Sequence, residues 1–153
     1  MDHVRFLDIA MDEAEIALRE GGSPIGSVIV DVNGTVLSRG RNRVPNTGDQ
    51  TAHAEVDAIR NAGAAIMTAP PGGGWILYTT VEPCMMCLGA MLLCPISTVV
   101  WATNGSQGGA YDLARTGTYR RDRFDQIAVV REPSATHRDR SRALVDAFRK
   151  RQI

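Results

Sequence analysis

Two short segments of this 153-residue chain hold residues able to do chemistry: His53-Ala54-Glu55, and Pro83-Cys84-Met85-Met86-Cys87 about 30 residues later. Together they offer one imidazole, two thiolates and a carboxylate that is not needed as a ligand. One nitrogen and two sulfur donors suit a zinc ion that keeps its fourth position open for water. Zinc at such a site makes water a far better acid, and a carboxylate alongside can carry the released proton to a substrate nitrogen. The chemistry implied is hydrolytic: an exocyclic amine on a nucleobase-type ring is exchanged for oxygen.

Plainer readings exist for each half. A lone Cys-x-x-Cys can be a redox pair, half of a structural zinc knuckle, or two inert buried thiols. A closed structural site wants four protein ligands. Here the only cysteines are Cys84, Cys87 and Cys94, and the other histidines, His3 and His137, lie toward the ends. The conjunction of His-x-Glu with Pro-Cys-x-x-Cys favours the catalytic reading, with His53, Cys84 and Cys87 on the metal and one zinc per subunit. Glu55, two residues after His53, is the candidate proton shuttle. It would take a proton from the attacking water, deliver it to the ring nitrogen and then protonate the departing amine.

These residues need elements that present them together. Residues 4–20 repeat apolar side chains at helical spacing and end at Gly21-Gly22. Residues 25–31 and 35–39 read as strands joined by a hairpin turn at Asn33-Gly34. Residues 43–51 read as a loop, 53–64 as a helix, and 65–74, with Pro70-Pro71 and three glycines, as a second loop. Strand 75–80, a helix over 84–93 started by Pro83 and stopped by Pro95, and strand 97–102 follow. Then come mixed loop and short helix over 103–124, strand 126–130 and a closing helix over 137–151. The order α-β-β-α-β-α-β-α-β-α predicts a three-layer α/β/α sandwich around a five-stranded mixed sheet, as one domain over 1–153. His53 and the cysteine pair then sit at the N-terminal ends of two helices, where the partial positive charge favours thiolates.

The zinc segments carry a resemblance. With Gly22-Ser23-Pro24-Ile25-Gly26, Gly40-Arg41-Asn42, Thr51-Ala52-His53-Ala54-Glu55 and the run from Leu77 to Ala90, the chain resembles the cytidine/deoxycytidylate deaminase superfamily. Within it, the chain is similar to the branch of fungal-type cytosine deaminase, bacterial guanine deaminase and tRNA-specific adenosine deaminase. The resemblance implies a zinc-dependent hydrolase acting on C–N bonds in cyclic amidines, a sheet ordered 2-1-3-4-5, and a homodimer. It also implies that Asn42 hydrogen-bonds the substrate; the plainer reading of Asn42 is a turn-forming residue.

Composition bounds the partners. The chain is 44% hydrophobic and 22% charged, with no apolar run long enough for a membrane span. An N-terminus without a signal-peptide pattern, and three cysteines with no disulfide framework, fit a reducing, cytoplasmic setting. Net charge is zero but segregated: residues 1–114 hold 6 basic and 12 acidic residues, and residues 115–153 hold 11 basic and 5 acidic. The basic segment is read as solvated faces, or as partners for the acidic part across an oligomer interface, in preference to a phosphate-binding surface. Aromatics at 5% are few for stacking nucleic-acid bases.

A small uncharged ring is therefore the favoured substrate: cytosine or isocytosine, guanine, or an amino-triazine. The run 144–151 leans toward the tRNA-acting branch, whereas Thr103-Asn104-Gly105-Ser106-Gln107-Gly108 departs from that branch's pattern. A non-catalytic zinc module is the reading from another class, and an intact Glu55 counts against it. Trp101, Tyr111 and Asp112 fall where the family's selecting residues lie; Asp112 is the candidate second acid that a guanine deaminase would be expected to carry. Glu82 is read as orienting loop amides, Pro24-Ile25 as a pocket wall, Cys94 as a small buried hydrophobe, and Met85, Met86 and Met91 as core.

Overall fold

The computed structural model describes residues 1–69, 73–106 and 109–152. Residues 70–72 of the expected 65–74 loop, residues 107–108 and Ile153 lie outside the described residues. The element order is α1 (His3–Arg19), β1 (Gly26–Val30), β2 (Val36–Arg41), α2 (Val44–Thr47), α3 (Ala54–Ala62), α4 (Ala64–Thr68), β3 (Trp75–Val81), α5 (Met85–Leu92), β4 (Ile96–Thr103), α6 (Ala110–Ala114), α7 (Arg121–Phe124), β5 (Ala128–Arg131) and α8 (Ala135–Arg151).

The five strands form one mixed sheet in the order β2-β1-β3-β4-β5. The β1/β2 and β1/β3 pairs are antiparallel, and β3/β4 and β4/β5 are parallel. The hairpin turn forms where Asn33-Gly34 predicts it: the Asp31 carboxylate accepts N–H bonds from Asn33 and Thr35, both 2.8 Å, and Gly34 takes φ +81°. Each parallel step needs a crossover, and α5 supplies the first.

Alternating side chains send each strand's residues into two cores. Val28, Val30, Ile76, Tyr78, Val100 and Ala102 face α1, with Leu144 of α8 packed against them. Ile29, Leu77, Val99 and Trp101 face the other way, with Ala58 of α3 and Cys87, Leu88 and Met91 of α5. The three-layer sandwich is therefore realised, with α3 and α5 together on one face.

The short helices depart from expectation. The segment 43–51 contains α2, and α4 occupies the start of the predicted 65–74 loop. Gly63, at φ +57°, ends α3 and leaves Ala64–Thr68 to wind as a separate short helix. The closing helix begins at Ala135, because the Ser134 hydroxyl caps it by accepting the His137 N–H at 3.4 Å. Met91 and Cys94 are core, but Met85 and Met86 are 50% and 37% exposed. They lie on the face of α5 turned away from the sheet.

Among the described residues, five of the eleven basic residues in 115–153 form ion pairs inside the chain. Arg140 donates to Glu15 at 2.6 Å and lies within 4 Å of Asp8 and Asp12, binding α8 to α1. Arg142 donates to Glu132 at 3.1 Å, Arg131 to Asp112 at 3.0 Å, and Arg121 to Asp125 at 2.8 Å. Buried Arg123 donates to the carbonyls of Cys94 and Ile96, just past the end of α5.

Candidate active site

The site is assembled at two helix starts. His53 is the N-cap of α3 and Cys84 the N-cap of α5, both with extended backbone, and Cys87 follows in the first turn of α5. Gly40 of β2 lets α3 lie flat on the sheet: a Cβ there would collide with the backbone of Ala54 and Ala58. Parallel pairing of β3 with β4 fixes the loop that delivers Cys84.

The donor atoms converge. His53 Nδ1 is 3.5 Å from Cys84 Sγ and 3.7 Å from Cys87 Sγ, and the two sulfurs are 3.6 Å apart. Donors on a tetrahedral zinc at ordinary bond lengths stand roughly 3.5–3.8 Å from one another, so the three present fit that ion and leave a fourth position. The charges are prepared as well. The Cys84 thiol is pulled down to about 3 by its hydrogen bond with Cys87 and by His53. Cys87 is pushed up by the same bond and by burial, and binding a metal through both sulfurs requires both thiols to give up their protons. The hydrogen bond with Cys84 raises His53, against its partial burial.

Glu55 stands beside this set. It is 4% exposed; Oε1 accepts the Thr79 hydroxyl at 3.0 Å and Oε2 accepts the Cys87 thiol at 3.3 Å. Burial pushes its carboxyl above the usual range, and the hydrogen bonds from Cys87 and Thr79 partly counter it. The sequence did not mark Thr79, which is one of two adjacent threonines near the end of β3.

Asn42 is buried at the end of β2. Its N–H donates to the Ile25 carbonyl at 3.0 Å, and its Oδ1 accepts the Val44 N–H at 3.3 Å. Arg43 donates its N–H to the Ala52 carbonyl at 2.9 Å, so Asn42 lies one residue from the strand-to-loop bond that holds the chain just before His53.

A cleft of about 670 Å³ opens onto Cys84. One wall is Pro83, Met85 and Met86; the other is Ser106, Ala110 and Leu113. Glu55 and Asn42 do not line it among the described residues. Three residues expected near the ring are engaged elsewhere. Trp101 is fully buried and donates from its indole to Asn104 at 2.8 Å. Tyr111 stacks on Phe124 at 4.9 Å between centroids, and Asp112 is paired with Arg131.

Residues 1–103 match the model for the cytidine and deoxycytidylate deaminase zinc-binding region. The chain belongs to the cytidine and deoxycytidylate deaminase family. It is 40% identical over 116 residues to guanine deaminase from Bacillus subtilis, covering 73% of each chain. It is 38% identical over 106 residues to cytosine deaminase from Candida albicans, covering 67% of each. To tRNA-specific adenosine deaminase from Aquifex aeolicus it is 34% identical over 134 residues, which is 87% of this chain and 79% of that one. The solved guanine deaminase of Bacillus subtilis superposes with a TM-score of 0.62 at 39% identity, over 76% of this chain and 71% of that one. A structure from studies of A-to-I editing by tRNA:A34 deaminases gives 0.72 at 30% identity, over 86% and 99%. The chain spans only about a fifth of the matched tRNA(Ile)-lysidine synthase from Deinococcus radiodurans, 39% identical over 115 residues. Family membership makes zinc the metal for the His53-Cys84-Cys87 set, and zinc-dependent hydrolytic deaminase the enzyme class.

Proposed function

We propose that this deaminase-family chain removes the exocyclic amine from a free nucleobase or related amino-heterocycle of the cytosine, isocytosine, guanine or amino-triazine type. His53, Cys84 and Cys87 hold zinc, which when bound supplies a Lewis acid that makes water nucleophilic at neutral pH. Glu55 takes a proton from the attacking water as its oxygen bonds to the ring carbon, and passes that proton to the ring nitrogen. Glu55 then takes the second proton, from the hydroxyl now on the ring carbon, and gives it to the amine; the C–N bond breaks as the C=O forms, and ammonia leaves. Asn42, with a donor and an acceptor on one carboxamide, suits the edge of a heterocycle.

The observation that carries the reading is Glu55: buried, oriented by Thr79, and beside the metal donors without being one of them. A zinc module without catalysis has no use for that carboxylate. The free-base preference is supported by the ion pairing of Arg131, Arg140 and Arg142, which ties up part of the basic segment. Asp112 is bound to Arg131 as well, which turns the reading toward rings recognised without a second acid.

The second reading is a tRNA adenosine deaminase, favoured by the extent of the Aquifex aeolicus match and by Arg149, Lys150 and Arg151 in the last turn of α8. The single-domain, cytoplasmic homodimer expected from the sequence belongs to the same proposal. Exposed Met85, Met86 and Leu93 along α5 suit cover by a second copy. Among the described residues no helix is long and apolar enough to cross a membrane.

Ammonia release by zinc-loaded protein is the test, with Glu55→Ala as control. The panel is cytosine, isocytosine, guanine, amino-triazines, cytidine, guanosine and a tRNA with a wobble adenosine. Glu55-dependent release from a free base is expected; release from tRNA alone would replace the first reading with the second.

A further inference from the structure

A buried hydroxyl without a partner lies beside the residue that holds Glu55. Ser27 of β1 is fully buried, and its Oγ makes no hydrogen bond among the described residues. In the antiparallel register it stands directly opposite Thr79 of β3. Ile29 and Leu77, two residues away on the same strands, face the layer of α3 and α5, so alternation turns Ser27 and Thr79 to that layer as well. On its other side Ser27 pairs with Gly40, which has no side chain and lies against the α3 backbone at Ala54 and Ala58. The hydroxyl is thus enclosed beneath the first turns of α3, and of its two cross-strand neighbours only Thr79 carries a polar side chain. A hydroxyl left unpaired there costs stability that an alanine would not.

We propose that Ser27 is a positioning residue for the proton shuttle, acting on Glu55 through Thr79. This rests on the deaminase reading above. Ser and Thr side chains directly opposed on one face of a sheet are placed to hydrogen-bond across it. A turn of Ser27 about χ1 brings its O–H to Thr79 Oγ1. That oxygen has acceptor capacity to spare, because its one proton goes to Glu55 Oε1 at 3.0 Å. Ser27 then fixes the rotor of the Thr79 hydroxyl, Thr79 fixes the carboxylate, and each bond polarises the next. The arrangement matters most with the metal bound, when the Cys87 sulfur has no proton left to give Oε2. Ser27 and Thr79 carry no proton to the substrate; they aim the group that does.

The experiment compares zinc-loaded wild type, Ser27→Ala, Thr79→Val and the double variant, with Thr79→Ser as the substitution that keeps the hydroxyl. Zinc per chain, the urea midpoint, and KM and kcat on the preferred ring are measured. Thr79→Val should lower kcat about tenfold, and Thr79→Ser should keep most of the wild-type rate. Ser27→Ala should lower kcat about threefold with KM and zinc content unchanged, and should have no further effect once Thr79 is replaced by valine. The urea midpoint gives a readout free of turnover. Ser27→Ala should lower it with Thr79 in place, where a bond is lost, and raise it in the Thr79→Val background, where only an unpaired hydroxyl is removed. A Ser27→Ala protein more stable than wild type with unchanged kcat would overturn the proposal. So would equal losses of kcat in both backgrounds, or zinc lost in step with activity. Should Thr79→Val fold poorly, the midpoint and kcat of Ser27→Ala alone decide. A wild type inactive on every ring sinks the proposed function instead, and the midpoints then decide by themselves whether Ser27 bonds Thr79.

Discussion

A carboxylate taken almost wholly out of water loses hydration that only hydrogen bonds can replace, and Glu55 has two, from Thr79 and Cys87. Zinc binding takes the Cys87 proton away, which leaves Thr79 as the partner that aims the carboxylate. Glu55→Gln keeps the size of the side chain and removes its ability to carry a proton. Turnover should fall by about 10²–10⁴, the usual contribution of general acid–base catalysis, with zinc per chain unchanged. Metal analysis beside the rate decides it: zinc lost from Glu55→Gln would make the residue a metal-holding group. His53, Glu55, Cys84 and Cys87 were legible in the sequence because zinc demands particular donor types, and helix starts bring them together at fixed spacing. Thr79 was not legible, since its partner is 24 residues away and nothing local marks the pair. Trp101, Tyr111 and Asp112 show the converse: aromatic and acidic residues near a site serve packing and ion pairs equally well, and here Trp101 packs against Tyr111 and Asp112 pairs with Arg131.

At the scale of elements, the site depends on how closely α3 approaches β2. Gly40 faces α3 where any Cβ would overlap the Ala54 carbonyl and the Ala58 backbone. Gly40→Ala must therefore push α3 outward, carrying His53 and Glu55 with it. A loss of about 1–3 kcal/mol is expected from overpacking, accompanied by weaker zinc retention. Gly89 in α5 is the internal contrast: a Cβ there meets nothing within 4 Å, and alanine should add about 0.5–1 kcal/mol through helix propensity. Denaturant melts of both variants with zinc titration test the pair; a Gly40→Ala protein as stable as wild type would show that α3 yields without cost. All five strands and the long helices were readable from apolar periodicity and turn residues, and the resemblance supplied their order. The two missed helices, α2 and α4, have four and five residues, too few for a periodic pattern to stand out. Met85 and Met86 read as core because α5 is apolar nearly all round, and periodicity cannot say which side of such a helix the sheet takes.

Over the whole molecule, a net charge of zero hides a division: acids dominate the first three quarters and arginines the rest. Folding brings the halves together where α8 lies on α1. Arg140 sits among Asp8, Asp12 and Glu15, His137 Nε2 is 2.8 Å from Asp8, and the Ser141 hydroxyl donates to the Thr80 carbonyl at 2.8 Å. That last bond fixes α8 to the strand end that carries Thr79, so the docking of α8 bears on the proton shuttle. Arg140 is about one third exposed, so water screens its pairs and each is worth about 0.2–1 kcal/mol. Charge reversal does more than delete them. Arg140→Glu sets a fourth negative charge among three carboxylates, and should lower the melting temperature more than Arg140→Ala does. Repulsion between half-exposed charges is screened within about 3 Å at 1 M salt, so the gap between the two variants should narrow there. Melts of both variants at low and high salt measure that gap. A gap that persists in high salt would move the stabilising role from the guanidinium charge to the packing of its side-chain stem, and the acidic face of α1 would then no longer explain why α8 is basic.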